Sequence, residues 1–389
     1  MASVERRTRD GRVTWVARWR DPAGRQRKRS FAKRSDADRF MTTVAADVLR
    51  GDYLDPDAGR VTVGDYAGRW LASQTFDPST REHVTLRLRL HVFPQLGAHR
   101  IGTVRPSTVQ AWLRGLDRLA PSHVRTIYQH VSAIFSAAVD DGLLRTNPCR
   151  ASSVRTPRVV ARRVVPWTAE HVLAVRSALP PRYAVLVTLG AGLGLRQGEV
   201  FGLSPTDVDF LRGVVRVRRQ VRIVGSRLSF APPKGGKVRE VPLPSSVRDD
   251  LAAYLAAHPV RTVTLPWREP SGEPTTVDLV VTSREGKALN RNYVNGLWKR
   301  ALAAAGVEPS RDNGSHALRH FYASTLLDAG ESVKAVSEYL GHADAGFTLR
   351  TYTHLMPSSE ERTRRAVDAV LAAGSCAPVV PPAGVRSTS

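Results

Sequence analysis

The chain has 389 residues, room for two to four domains of ~100–200 residues each, with 58 Lys and Arg against 35 Asp and Glu and a net charge of +23. Its 42% hydrophobic and 24% charged residues are the composition of a folded globular protein, which excludes the disordered and fibrous classes. The longest nearly unbroken apolar run, Tyr183 to Leu195, is 13 residues and holds three glycines, well short of the ~18–20 that cross a bilayer. No membrane span is expected. The N-terminus goes straight into charged residues without the apolar stretch of a secretory signal, so a cytoplasmic protein is expected. Two cysteines, Cys149 and Cys376, cannot build a disulfide framework or, by themselves, a zinc site. A basic surplus of this size points to a polyanion, nucleic acid first, because neutralising phosphates releases condensed counterions. A GC-rich coding bias explains 51 arginines over 7 lysines, but not basic over acidic.

In chain order, residues 1–34 hold 12 Lys and Arg against three acids, Glu5, Asp10 and Asp21. Val13 to Arg20 alternates partly with period two, Asp21-Pro22-Ala23-Gly24 signals a turn, and Arg25 to Ala32 reads as a second strand. Ser35 then opens a helix to about Leu49, with Asp36 and Asp38 in the first turn where the helix dipole favours anions. The expected unit over 1–56 is a small sheet backed by a helix. Its candidate DNA contacts are Arg18, Arg20, Arg27, Lys28 and Arg29, interleaved with Trp15 and Trp19. Helices are predicted over Val63 to Ser73, Ser79 to Val92 and Ser107 to Leu116. A longer one runs from the cap Ser122 to the stop Gly142, with Val124, Ile127, Val131, Ile134, Phe135 and Ala138 at helical spacing. An all-α domain over 61–147 and a basic linker over 148–166 follow from this. Beyond it, Thr168 to Leu179 and Arg182 to Leu189 read as helices, and Gly213 to Ile223, Ser226 to Pro232 and Val238 to Leu243 as three strands. Helices resume from Ser245, which gives a mixed unit over 167–373 with a three-stranded sheet. The segment 374–389, with three prolines among small polar residues, is expected to be disordered. The fold class is α+β, mainly α, and multi-domain.

Four separated runs carry chemistry together. GLGLRQGEV (Gly192 to Val200) sets glycines just before Arg196, and APPKGGKVREVPLP (Ala231 to Pro244) places Lys234 at a turn between two strands. SHALRHFYAS (Ser315 to Ser324) puts His316, Arg319 and His320 on one helical face, at i, i+3 and i+4. LGHADAGFTLRTYTH (Leu340 to His354) sets His342 ten residues ahead of Tyr352. In this order the motifs G-L-R-x-G-E, a hairpin lysine, H-x-L-R-H, L-G-H and T-Y-x-H resemble the tyrosine recombinase (phage integrase) family, over roughly Val61 to Ala373. The basic N-terminal unit is similar, more loosely, to the arm-site-binding domains of larger integrases.

The resemblance implies a helical, SAM-like core-binding domain and a catalytic domain. It implies a site-specific recombinase of a phage or mobile element that works through a 3′-phosphotyrosyl intermediate, with no metal, ATP or other cofactor. Arg196 and Arg319 would hold the nonbridging phosphate oxygens, Tyr352 would attack phosphorus, and His316 would serve in proton transfer. Lys234 would protonate the leaving 5′-oxygen and His342 would bond the scissile phosphate, with Glu199 and His320 in support. The residue chemistry agrees. Guanidinium gives bidentate bonds to phosphate, and a phenol with an ordinary pKa of ~10 needs a base or a strong field to attack. The implied partners are double-stranded DNA with core and arm sites, a homotetramer on DNA, a host DNA-bending protein and an excisionase. Rival assignments are Lys237 for Lys234 and Tyr322 or Tyr339 for Tyr352, with His354 expected to cap or touch a neighbour. A zinc-binding reading of His316 and His320 lacks the zincin glutamate and sets Arg319 against the metal. Three other classes stay open here: a type IB topoisomerase-like enzyme, a catalytically inactive DNA-binding or architectural protein, and a metal-dependent transposase or nuclease, which would need converging carboxylates.

Overall fold

The computed structural model describes residues 3–352 apart from 10, 11, 23, 52, 56, 161 and 162, together with 364, 367, 368, 370 and 371. The segment 374–389, Cys376 and His354 lie outside the described residues. The chain divides into two units, Met1–Ala161 and Arg162–Ser389. Among the described residues no helix is long and apolar enough to cross a membrane.

The first unit opens with antiparallel strands β1 (Ser3–Arg9), β2 (Arg12–Arg20) and β3 (Gln26–Phe31), in that order across the sheet, followed by α1 (Arg34–Arg50). The sequence reading holds β2 and β3 but not β1. That strand, SVERRTR, has no apolar alternation and owes its extension to pairing along β2. Trp19 and Phe31, on one face of the pleat, both pack against Phe40 of α1 with ring centroids 5.2 Å apart, Trp19 edge to face and Phe31 tilted. The same pleat divides the candidate DNA contacts. Arg27 and Arg29 belong to the helix side, where Arg27 pairs with Asp21 and Asp55 and Arg29 lies over the Phe31 and Phe40 rings. Arg18, Arg20 and Lys28 belong to the other face, Arg18 directly opposite Lys28 in the ladder and 3.3 Å from Glu5.

Four α-helices follow: α2 (Val63–Ser73), α3 (Pro78–Arg87), α4 (Pro106–Arg114) and α5 (Pro121–Asp140). Thr62 caps α2 by accepting from the Asp65 N–H at 3.1 Å. The expected helix to Val92 leaves α geometry after Arg87 and runs on as a π-helical stretch, Leu88–Gly97, that contains Pro94, a residue with no N–H for the regular ladder. The fourth helix starts at Pro121 rather than after Ser122, because the fixed φ of proline suits the first helical position. Ile127, Ile134 and Phe135 of α5 close the core with Leu88 and Trp112.

The second unit begins with α6 (Ala169–Ala178), α7 (Pro181–Leu193) and α8 (Gln197–Phe201), then β4 (Val208–Asp209), β5 (Val214–Val217), β6 (Gln220–Val224), β7 (Arg227–Ala231) and β8 (Arg239–Pro242). After them come α9 (Ser245–Ala257), the hairpin β9 (Arg261–Pro266) and β10 (Pro274–Leu279), α10 (Arg291–Ala304), α11 (His316–Asp328), α12 (Val333–Leu340) and α13 (Ala345–Tyr352). The single strand expected over 213–223 is broken after β5, where Arg219 turns to the buried Asp207 and gives it hydrogen bonds of 2.6 and 3.1 Å. Hence β5 pairs with β4 and β8 in a three-stranded sheet, while β6 and β7 form a separate hairpin. The β9–β10 hairpin is absent from the sequence reading, which has only helices after Ser245. Apolar α7 runs through the core, with Leu318 of α11 packed against its Gly190.

Candidate active site

After α7 the chain turns at Gly194, φ +62, where a Cβ would stand 2.4 Å from the Tyr322 ring; only glycine fits. The turn makes Arg196 the N-cap of α8, and Glu199 closes that cap. Its Oε2 accepts from the Arg196 N–H and its Oε1 from Arg196 Nη1, both at 2.9 Å. Both oxygens also accept from Arg239, Nη1 at 3.0 Å and Nη2 at 2.7 Å, a bidentate pair with almost no solvent access. Desolvation pushes the Glu199 carboxyl up, but the hydrogen bonds and charge of Arg239 and Arg196 outweigh it and hold the group below the usual carboxylate range.

The same guanidiniums reach the C-terminal end of α12. Arg239 Nε donates to the Tyr339 carbonyl at 2.6 Å, Arg319 Nη2 to the Leu340 carbonyl, and Arg196 Nη2 to the Gly341 carbonyl at 3.1 Å. Three successive carbonyls, at the negative end of a helix dipole, each take an arginine. Arg319 of α11, 1% exposed, also donates to the Gly194 carbonyl at 2.7 Å, tying the Arg196 turn to α12. Gly341, φ +62, has Arg239 Cδ 3.0 Å from where a Cβ would sit, which accounts for the glycine of L-G-H. His342 follows, its Nδ1 2.7 Å from Thr348 Oγ1 and its ring edge-on to Phe347.

Tyr352 ends α13 and is 2% exposed, with its hydroxyl 2.7 Å from His320 Nδ1. Burial pushes the phenol up to about 12, partly offset by Arg319. His316 opens α11 with part of its surface in solvent, and its ring meets that of His320 edge to face, centroids 4.8 Å apart. Desolvation and then the charges of His320, Arg319, Arg196 and Lys234 bring His316 down to about 4. Desolvation and then Arg319 and Arg196 bring His342 down to about 3, and desolvation with Arg319 also lowers His320. The site therefore holds its histidines neutral at pH 7. Arg319, lowered to about 9 by desolvation and Arg196, stays a cation there.

Lys234 is exposed on the turn between β7 and β8, near enough for its charge to reach His316. That turn is not a hairpin tip as expected, because β7 pairs with β6 and β8 with β5; it crosses between two sheets. Of the rival tyrosines, Tyr322 is packed under Gly194 and Tyr339 contributes its carbonyl. His316, expected at the proton-transfer position, is not the histidine bonded to the Tyr352 hydroxyl; His320 is.

The phage integrase family matches residues 168–359 and the phage integrase central domain residues 63–154. A tyrosine recombinase XerC of Rhodospirillum centenum is 30% identical over 264 residues, 65% of this chain and 69% of that protein. The chain belongs to the phage integrase family of tyrosine recombinases. A putative prophage phiRv2 integrase of Mycobacterium tuberculosis is 28% identical over 348 residues, 87% of this chain and 88% of that protein. Among solved structures, the Tn1549 transposon integrase in complex with a circular intermediate DNA shares the fold with a TM-score of 0.66 at 20% identity, covering 78% of this chain and 99% of that one. A lambda integrase tetramer bound to a Holliday junction gives a TM-score of 0.57 at 18% identity, over 86% and 92%. The chain is accordingly a site-specific DNA recombinase by family, and the topoisomerase-like, architectural and metal-nuclease readings are not favoured.

In this recombinase the residue that sequence reasoning missed is Arg239. The signal was in the strand itself, since Arg239 and Val241 alternate with Glu240 and Pro242, and period two turns Arg239 inward with Val241. Among the described residues Glu199 is the only carboxylate bonded to Arg239. Replacing it, as Glu199→Leu, leaves a buried arginine without a counter-charge and is expected to cost the second unit ~3–5 kcal/mol. Denaturant unfolding followed by fluorescence of the stacked Trp167 and Trp298 pair measures this, and a loss below ~1 kcal/mol would contradict the buried-network account.

Proposed function

We propose that this recombinase is the integrase of a phage or integrative element, with Tyr352 as the nucleophile that cleaves and rejoins double-stranded DNA at attachment sites. The observation that carries this is an imbalance of charge: the buried Arg239 and Arg319 and the partly buried Arg196 gather around one buried carboxylate, Glu199, beside a buried tyrosine hydroxyl. A phosphodiester brings the missing negative charge. As phosphorus becomes pentavalent, charge grows on its nonbridging oxygens. Arginines already fixed by carbonyls and Glu199 stabilise that charge without reorganising, through donors left over from a fork of five. Tyr352 Oη bonds to phosphorus, the 5′-oxygen leaves with a proton from Lys234, and the 3′-phosphotyrosyl link stores the bond for rejoining. His342, its Nδ1 held by Thr348, turns Nε2 to the phosphate. Glu199 fixes Arg196 in place.

On this reading residues 1–56 bind arm sites, 61–147 bind core sites, 148–166 link them to a catalytic domain over 167–373, and 374–389 is a tail. Like charges directly opposite in a ladder, Arg18 and Lys28, cost stability in the free sheet that a phosphate backbone would relieve. Arg20 shares that face, whereas Arg27 and Arg29 are spent on Asp21, Asp55 and the aromatic rings. Exchange of four strands calls for a homotetramer on DNA in the cytoplasm, with a host bending protein and an excisionase as further partners.

Recombination between two duplexes carrying the element's junctions tests the proposal. It is expected to proceed in excess chelator at the rate seen with magnesium, since guanidinium charge does the work at phosphorus. Cleavage that stops in chelator and returns with magnesium would sink it, and relaxation of any supercoiled plasmid without exchange would favour the topoisomerase reading.

A further inference from the structure

We propose that His320, rather than His316, is the catalytic residue that takes the proton from Tyr352. The inference rests on the reading of Tyr352 as nucleophile. His320 lies one helical turn beyond His316 on α11, and its Nδ1 is 2.7 Å from the Tyr352 hydroxyl, inside hydrogen-bond reach of the proton to be removed. Burial holds Tyr352 as a phenol in the free protein, and with the imidazole proton on Nε2, the tautomer this role requires, the hydroxyl donates to Nδ1. Among the described residues, the titratable or charged groups facing His320 are Tyr352 on α13 and, on its own helix, His316 and Arg319. Arg319 disfavours an imidazolium in the resting site. The charge that grows on phosphorus during attack favours one, so the proton moves as the bond forms.

The step balances. Tyr352 Oη forms its bond to phosphorus as its proton passes to His320 Nδ1, and the bond from phosphorus to the 5′-oxygen breaks as that oxygen takes a proton from Lys234. In rejoining, the 5′-hydroxyl attacks, Lys234 recovers its proton and His320 returns the other to Tyr352. His316, partly in solvent and close to the Lys234 and Arg196 charges, is left to face the phosphate.

The sign of the pH dependence follows. His320 accepts a proton only while neutral, so cleavage falls as pH drops through its pKa and is flat above it; that pKa is lowered from the ordinary 6.5 in the free protein. The experiment is single-turnover covalent trapping of the full chain on nicked duplexes carrying the element's junction, from pH 5 to 8 at ~1-unit steps, with DNA binding and thermal unfolding measured alongside. His320→Asn keeps a hydrogen-bonding group near the Nδ1 position but cannot take the proton. It is expected to trap ~10²-fold more slowly, to bind DNA as wild type does, and to lose the acidic limb, while His316→Asn keeps that limb. If His320→Asn does not fold, His320→Gln takes its place. A variant that traps at the wild-type rate, or one that is slow but keeps the limb, overturns the inference, as does a limb lost in His316→Asn instead. If Tyr352→Phe still traps, the nucleophile reading itself has failed; if it does not and His320→Asn behaves as wild type, only the role of His320 falls.

Discussion

Tyr352→Phe is expected to abolish covalent attachment to DNA while leaving fold and DNA affinity close to wild type. The change removes one oxygen and keeps a ring that is 2% exposed in the core, so packing is preserved. The one bond lost in the described structure is that to His320, a net ~1 kcal/mol by the usual measure of a hydrogen bond. On the proposed reading, affinity depends on phosphate contacts made by arginines that the substitution does not touch. On nicked suicide duplexes wild type should accumulate a detergent-resistant 3′-phosphotyrosyl adduct with a free 5′-hydroxyl on the other side, and Tyr352→Phe none. Tyr322→Phe and Tyr339→Phe should both trap, because Tyr322 packs by its ring under Gly194 and Tyr339 contributes through its backbone. An adduct from Tyr352→Phe together with loss in one of those controls would place the nucleophile elsewhere.

What was legible in the sequence was whatever local chemistry determines alone. The α2 segment reads correctly from Val63 to Ser73 because Thr62 caps it and its apolar residues keep helical spacing. Arg196, Arg319 and His342 come from separate runs that the structure brings together, and two of those runs need a glycine at a particular backbone turn. Gly194 and Gly341 sit at φ +62 against Tyr322 and Arg239, and those crowded turns aim Arg196 and His342. Illegible was whatever depends on a distant partner. The charged β1 becomes a strand only along β2, and the break after β5 answers to Asp207, 12 residues back from Arg219. The turn bearing Lys234 looks like a hairpin in sequence because neighbouring strands usually pair, yet its two strands belong to different sheets. His316 and His320 occupy one helical face, so spacing ranks them equally. Only the arrival of α13 from 32 positions away distinguishes them.

Arg319→Ala is expected to slow cleavage by ~10²–10³, the usual loss on removing one fixed donor to a developing anion, and to weaken the fold as well. The two effects have separate causes. On the proposed reading, chemistry loses a desolvated cation beside the phosphate. Stability falls because the carbonyls of Gly194 and Leu340 lose their guanidinium donors in a buried place, at ~1–3 kcal/mol for each group left unsatisfied. Losing Arg319 also unties the turn that aims Arg196 from the helix end that aims His342, so the remaining groups should position the phosphate less well. Arg319→Lys separates charge from geometry. An ammonium retains the positive charge but is a compact point donor that lacks the planar fork spanning the two carbonyls, so it should restore DNA affinity more than cleavage. Single-turnover trapping at saturating protein, with gel-shift affinity and denaturant unfolding on the same preparations, measures all three. If Arg319→Ala trapped within tenfold of wild type while unfolding more easily, the arginine would be a brace for α12 alone and would take no part in the chemistry at phosphorus.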